Sequence, residues 1–381
     1  MRYLSIFVLL LAVSCGLEKV GEFPYSNPDG IWTGPSYGKD TGEGCHVVIV
    51  EQKSVSKSCL TLCKGKIPVL RVPVGDSCFV SSDPGRHRIR NGHLYTDMTD
   101  GQRTVVKRDG KVVYSCEGAE EVVDVRESGS EVHTLSERIN EGGFVYRIDG
   151  VSCVERESGR LIGTFEETPD SLCFFFSQTI MTAEGKEESF YLVSGSKVRK
   201  LDVAEDVVKV WDVGLYDGKI CMLATVRGQG NPIFMAGDTR ENLYDLYGNQ
   251  VIVCSFLPSE TVCVHTRLLH TGHNLMTDVL WFGDRRWKMY SIGSTLSAAC
   301  MKEGLHAAVT NPSESSYGYI YKGDTGHFLP DDYAVSGSDS MTIKDSVLYV
   351  GLSPLKGKNP MIWRDGVLDT LRLDGYITCL Q

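Results

Sequence analysis

Short segments with strong strand propensity, separated by turn residues, are the feature that most constrains the fold of this chain. Residues 46–50 and 143–148, for example, are rich in β-branched or aromatic side chains. Asp-Gly pairs, which favour two-residue hairpin turns, recur at Asp109-Gly110, Asp149-Gly150, Asp217-Gly218, Asp365-Gly366 and Asp374-Gly375. Helical periodicity is scarce, and residues 203–211 are its best short candidate. The pattern predicts antiparallel hairpins and lacks the alternating helices and strands of a parallel sheet.

The size and composition of the chain suit one large β body. Its 381 residues are 42% hydrophobic and 23% charged, close to globular averages. Many short antiparallel strands suggest a β-propeller or a sandwich-plus-barrel tandem, and the lack of a Pro/Ser-rich linker favours a single all-β domain over residues 16–381, most simply a propeller. The polar stretch 117–141 is a weak candidate boundary. A net charge of −10 argues against nucleic acid as a partner, because phosphate contacts need clustered Lys and Arg.

Residues 1–15 have the organisation of a secretory signal peptide. Arg2 precedes an apolar run at residues 4–13, and small residues suited to cleavage close the run. This run is shorter than the roughly 18–20 residues that a membrane-spanning helix needs. We therefore expect an exported protein, secreted or on the extracellular face of a membrane or virion, with no transmembrane segment in this chain.

The cysteine count agrees with export. There are 13 cysteines, and loss of Cys15 with the signal peptide leaves an even number. Export favours disulfides, so we predict six bridges among the other twelve, one of them tying the two ends of the chain. The twelve are Cys45, Cys59, Cys63, Cys78, Cys116, Cys153, Cys173, Cys221, Cys254, Cys263, Cys300 and Cys379.

Several segments resemble, in order, parts of the heads of influenza-type neuraminidases, which are six-bladed β-propellers. The segments are 145–153, 168–176, 211–223, 258–263 and 345–363. The resemblance implies a six-bladed, disulfide-stapled propeller with a glycan-binding site for sialic acid or a related receptor. Arg147, Trp211 and Glu260 are the binding residues that it implies.

The same resemblance implies that sialidase activity is lost. That chemistry needs several arginines converging on one carboxylate, because a single cation does not orient it. Only Arg147 matches an arginine of the family, whereas Leu352 stands at the third arginine position and residues 257–258 at the second.

A second set of segments resembles viral hemagglutinin-esterases, which are serine hydrolases. Residues 28–36 are similar to the block that carries the family's serine, and residues 324–327 give its Asp-x-x-His pattern. The resemblance implies that Ser36 attacks an O-acetyl carbonyl, His327 takes the proton and Asp324 orients His327. Pro35 stands where the family has Asp, and the oxyanion-hole motif is missing.

Together these observations favour recognition over catalysis. We expect an exported protein that binds a cell-surface glycan or a protein receptor, with a sialate-O-acetylesterase-like hydrolase as the alternative. The sequence contains no motif for a cofactor, and the spacing of its histidines fits no standard metal site.

Overall fold

The computed structural model describes most of the chain from residue 31 onwards, and nearly all of it is β-strand. The described residues are 31–33, 36–37, 44–54, 57–74, 87–99, 102–139, 142–165, 172–182, 185–243, 249–257, 262–270, 275–282, 285–290, 295–301, 304–310, 318–322, 325–335, 338–356 and 359–381. Within these ranges the only helical element is a single 3-10 turn, Ser338–Ser340. Accordingly, none of the described residues belongs to a helix long and apolar enough to cross a lipid bilayer.

The strands form eight antiparallel sheets, which we number along the chain, and the first four contain four strands each. Sheet 1 contains β3 (His46–Ser54), β4 (Lys57–Lys64) and β5 (Ile67–Val74), together with the last strand of the chain, β35 (Tyr376–Leu380). Sheet 2 contains β6 (His87–Arg90), β7 (His93–Thr99), β8 (Arg103–Arg108) and β9 (Lys111–Glu117). Sheet 3 contains β10 (Glu120–Ser128), β11 (Glu131–Arg138), β12 (Phe144–Ile148) and β13 (Val151–Arg156). Sheet 4 contains β14 (Arg160–Phe165), β15 (Cys173–Thr182), β16 (Gly185–Ser194) and β17 (Lys197–Lys200).

The other four sheets continue the series, and two of them gain an extra strand from the N-terminal segment. Sheet 5 contains β18 (Val207–Tyr216), β19 (Lys219–Val226), β20 (Pro232–Ala236) and β21 (Thr239–Asn242), and sheet 6 contains β22 (Asn249–Phe256), β23 (Cys263–His270), β24 (Leu275–Phe282) and β25 (Arg285–Tyr290). Sheet 7 contains β26 (Thr295–Met301), β27 (Leu305–Thr310), β28 (Tyr319–Lys322) and β29 (Thr325–Phe328), with β1 (Ile31–Thr33) pairing β29 in parallel. Sheet 8 contains β30 (Tyr333–Val335), β31 (Met341–Lys344), β32 (Val347–Pro354), β33 (Met361–Arg364) and β34 (Val367–Thr370), with β2 (Ser36–Tyr37) pairing β34 in parallel.

This arrangement is an eight-bladed β-propeller. In sheets 2 to 7 the first strand is the innermost, and first strands of neighbouring sheets contact one another, as β14 does β18 and β18 does β22. The all-β propeller predicted from the sequence is confirmed, but six blades was wrong. The strands are short, so that each blade takes about 42 residues and residues 44–381 accommodate eight.

The two ends of the described chain close the ring within one blade. Strand β35 pairs with β3 and supplies the innermost strand of sheet 1, with Val48 opposite Cys379 and Val47 opposite Leu380. His46 and Gln381 exchange both backbone hydrogen bonds, at 2.7 and 2.9 Å. The closure therefore rests on a backbone ladder between the first and last parts of the ring.

Among the cysteines that the structure describes, the predicted disulfide staples are absent. No disulfide joins any of the ten cysteines that the structure describes, and Cys15, Cys78 and the side chain of Cys300 lie outside that description. Cys45 packs with Tyr349 between sheets 1 and 8, whereas Cys379 packs with Ile89 between sheets 1 and 2. The two thiols thus lie on opposite faces of sheet 1 and act as small apolar core groups.

We predict that unfolded, unreduced protein titrates with ten or more thiols, and that the native protein reacts far more slowly. Burial raises the pKa of Cys45 and Cys63 to about 12 and the pKa of Cys379 to about 11, so the reactive thiolate is scarce at neutral pH. A thiol-reactive chromophore with and without denaturant measures both numbers. A count of zero in denaturant would show that the cysteines are bridged.

Candidate ligand-binding site

Four charged side chains meet on the innermost strands of sheets 2 and 3. Arg88 and Arg90 come from β6, and Asp124 and Arg126 come from β10. Residues two apart in a strand share a face, so each strand presents both of its charges to the same side. All four groups therefore lie near the propeller axis, at the seam between two blades. We call them the arginine cluster.

Asp124 is the anionic centre of the cluster. Arg126 donates to its Oδ2 through Nε at 3.0 Å and through Nη2 at 2.9 Å. On the other oxygen, Oδ1, Nη2 of Arg90 lies at 3.4 Å and Nη1 of Arg88 at 3.6 Å. Nη2 of Arg88 donates to the backbone carbonyl of Val122 at 3.1 Å, which joins the two blades. One carboxylate is thus shared by three guanidinium groups.

Burial and neighbouring charges shift the pKa values of Asp124 and Arg126. Burial alone would raise the pKa of Asp124, but attraction by Arg126, Arg90 and Arg88 outweighs it and lowers that pKa. The pKa of Arg126 is also lowered, by burial and by repulsion from Arg90 and Arg88, despite its bonds to Asp124. The carboxylate of Asp124 is therefore held in its ionised form by the arginines around it.

A second seam, between sheets 4 and 5, repeats the architecture without the extra cations. Arg160 of β14 donates to the carbonyl of Val210 at 3.0 Å, as Arg88 does to Val122. Each acceptor valine stands at a β-bulge in β10 or β18, two residues before an aspartate, Asp124 or Asp212. Both aspartates accept the next residue's backbone N–H at 2.8 Å.

The two aspartates differ in their electrostatic surroundings. Asp212 accepts a second backbone N–H, from Phe256 at 2.7 Å. Burial nevertheless raises its pKa to about 6, because these two amide hydrogen bonds do not offset the loss of solvent. The same backbone position therefore holds an ionised carboxylate in one seam and a readily protonated one in the other.

The sequence-predicted binding residues lie elsewhere. Arg147 on β12 forms two hydrogen bonds with Glu120, at 2.8 and 2.7 Å, and its guanidinium stands over the ring of Tyr114. Trp211 on β18 donates through Nε1 to Thr225 at 2.9 Å. Glu260 lies outside the described residues. The structure thus places Arg147 and Trp211 in different blades, and their role in ligand binding stays a prediction.

The predicted hydrolase residues fall at the outer edges of sheets 7 and 8. Ser36 pairs with Val367, although its side chain is outside the described part, as is all of Asp324. The His327 ring stands edge-on to the ring of Trp363, with centroids 5.0 Å apart. A Cβ built on Gly366 would lie 3.7 Å from the His327 ring, in ordinary van der Waals contact. The backbone therefore brings Ser36 and His327 to one seam, and their joint action stays a prediction.

Sequence reasoning missed the arginine cluster. The available signal was two charged pairs at i and i+2 within predicted strands, Arg88 with Arg90 and Asp124 with Arg126. Charges at i and i+2 on a buried strand face need partners on the next strand. Only the packing of β6 against β10 shows that the two pairs are each other's partners.

Comparison with known proteins supports the fold alone. The sequence matches no protein-family model and no curated protein. Dihydro-heme d1 dehydrogenase NirN, in complex with DHE, is similar at a TM-score of 0.50 and 12% identity, with 91% of this chain and 76% of that chain covered. The β-propeller domain of the Trilobed protease from Pyrococcus furiosus aligns at a TM-score of 0.48, 11% identity and 78% and 96% coverage. Apo AztD from Citrobacter koseri aligns at a TM-score of 0.48, 8% identity and 87% and 97% coverage.

The resemblances to neuraminidases and to hemagglutinin-esterases were therefore wrong. The ring has eight blades where neuraminidase heads have six, and NirN, the similar structure with a TM-score of 0.50, is neither a neuraminidase nor a hemagglutinin-esterase. Where the structure describes them, the segments that carried the resemblances lie in strands and hairpins, which any antiparallel propeller repeats.

We predict opposite effects of pH at the two equivalent aspartates. The pKa of Asp124 is lower in the folded protein than in the unfolded chain, where it is near 4. Ionised Asp124 therefore stabilises the fold above about pH 4, and this stabilisation is lost as the pH falls below that value. The raised pKa of Asp212 stabilises the fold below about pH 4 and is lost as pH rises towards 6, a change of about 3 kcal/mol. Urea unfolding of the wild type, Asp124→Asn and Asp212→Asn between pH 3 and pH 7 measures both.

Each variant is the control for the other. Asp212→Asn should remove the fall in unfolding free energy between roughly pH 4 and 6, and Asp124→Asn should leave that fall in place. Identical pH profiles for the two variants would contradict the assignment.

Proposed function

We propose that this chain is a non-catalytic binding protein that recognises a negatively charged group at the arginine cluster. The observation that carries the proposal is the sharing of Asp124 by three arginines on the innermost strands of two blades. The three arginines outnumber the single aspartate of the cluster, and this local positive charge attracts an anion. The centre of a propeller is also a common place for a ligand to bind.

Charge and rigidity support the same proposal. The chain as a whole carries a net charge of −10, so attraction of an anion has to be local. Arginine presents its donors in a fixed fork, and here the forks of Arg88 and Arg126 are held by Val122 and Asp124. A fork held in place loses little entropy when a ligand binds.

Export and a surface partner complete the proposal. The apolar run at residues 4–13 supports a secreted or extracellular protein, and such a protein meets acidic glycans and acidic protein receptors. We take an acidic cell-surface glycan as the partner to test first. Failure on glycans with binding to acidic proteins would redirect the proposal to a protein receptor.

An array of acidic and neutral glycans, run beside an acetyl-ester hydrolysis assay, tests this function. We expect binding to acidic members that weakens with salt, and no ester turnover above that of Ser36→Ala. Turnover that disappears in Ser36→Ala would support catalysis at the seam of sheets 7 and 8 and contradict the proposal. Absence of any salt-sensitive ligand would also contradict it.

A further inference from the structure

The two repeated seams of the propeller act as an internal comparison for the arginine cluster. In both seams an arginine on the inner strand of one blade bonds a bulge carbonyl of the next blade, and an aspartate follows the bulge. These shared contacts are the part that joins the blades. A charged side chain that is present in one seam alone is not part of these shared contacts.

Glycines occupy both positions that correspond to the additional arginines. Arg126 follows Asp124 by two residues, and Gly214 follows Asp212 by two. Gly163 of β14 corresponds to Arg90 of β6. On the second strand of its blade, each of them pairs with the residue two positions away from the partner of the carbonyl-binding arginine. A Cβ built on Gly163 would lie 3.0 Å from Oδ1 of Asp212, so the carboxylate of Asp212 occupies the space that a side chain at this position would need.

The seam of sheets 4 and 5 is complete without these two cations. A Cβ built on Gly214 would lie 2.7 Å from the ring of Tyr216, so an aromatic side chain fills the space that a longer residue would need. The inter-blade bonds of Arg160 and Asp212 are nevertheless formed. The fold therefore does not require Arg90 and Arg126 at the equivalent positions.

Arg90 is the member of the cluster that reaches solvent. Its side chain is 35% exposed, compared with 8% for Arg126 and 4% for Asp124. Its Nε is buried and makes no hydrogen bond to any group in the described part of the chain. Arg90 thus has a solvent-facing side chain whose hydrogen bonds, from Nη2 to Asp124 and from Nη1 to the carbonyl of Ile89, are both long at 3.4 Å.

We infer that Arg90 and Arg126 form the anion-contacting part of the site, and that the group they take is an oxyanion, a carboxylate or a phosphate. This inference rests on the proposed function. The guanidinium fork matches two oxygens of either group, and Arg126 already holds the carboxylate of Asp124 in that way. Arg88 and Asp124 position the fork, and Arg90 meets the ligand from the solvent side.

Titration calorimetry on the full chain at fixed ionic strength tests the inference, with citrate, inorganic phosphate and neutral trimethyl citrate as probes. Arg90→Gln removes the solvent-facing cation, and Arg160→Gln removes one charge from the comparison seam as a matched control. We expect Arg90→Gln to raise the dissociation constant of the preferred anion by roughly tenfold or more. Arg160→Gln should change it by less than about twofold.

The outcomes separate the site from the function. A preference for citrate identifies a carboxylate and a preference for phosphate identifies a phosphate, while binding of trimethyl citrate would overturn the oxyanion assignment. Equal weakening by Arg90→Gln and Arg160→Gln, or no anion binding at all, would also overturn it. If an acidic glycan on the array binds Arg90→Gln as well as wild type, the binding function stands and this site is wrong.

Arg126→Gln is a second variant. Its side chain is more buried than that of Arg90, so the substitution also tests the stability of the fold. Urea unfolding shows whether it folds, and Arg90→Gln alone decides the inference if it does not. A folded Arg126→Gln that binds the anion as tightly as wild type would restrict the site to Arg90 and contradict the two-residue assignment.

Discussion

The backbone ladder between β3 and β35 is the interaction on which the rest of the structure depends. Without this pairing the ring of blades would stay open. One face of sheet 8 and one face of sheet 1 would then have no neighbouring sheet to pack against. Pairing of Val48 with Cys379 and of Val47 with Leu380 fixes the last strand as the first strand of sheet 1. Gly351 then has to be glycine, because a Cβ there would lie 2.7 Å from Ile377 on the adjoining blade.

Closure also determines where the charges lie. Once the ring is closed, the innermost strands converge, and β35 contacts β6, the strand that carries Arg88 and Arg90. Burial raises the pKa of Cys379, and Asp339 also raises it, whereas Arg90 and Arg88 lower it. The arginine cluster is therefore close enough to sheet 1 to act on the charge of this thiol. The bulge before Asp124 turns its carboxylate towards this convergence. A site of this kind exists only when the ring is complete.

Local patterns predicted much of the fold. Four of the five Asp-Gly pairs form tight turns between adjacent strands, with a positive φ at Asp109, Asp149, Asp217 and Asp365. Asp109, Asp149 and Asp365 also accept a backbone N–H at the start of the second strand of their own blade, at 2.9, 2.8 and 3.1 Å. The helix predicted at residues 203–211 was wrong, since β18 begins at Val207, where β-branched residues favour a strand.

Long-range features were not predictable from the residues alone. The blades repeat bulges, turns and inter-blade bonds rather than side-chain motifs, so the count of eight is not visible as a periodic sequence. Cysteine number indicated bridges, but the placement of Cys45 and Cys379 on opposite faces of sheet 1 depends on the register of β35. The arginine cluster joins residues 34 positions apart, and their meeting depends on the packing of β6 on β10.

A crystal structure grown with selenate, an oxyanion with a strong anomalous signal, tests the central claim most directly. The account predicts an anomalous peak within hydrogen-bond distance of the guanidinium groups of Arg90 and Arg126, in a ring of eight blades, and no equivalent peak at Arg160. Selenate bound only elsewhere, with no anomalous peak beside Arg90 and Arg126, would contradict it.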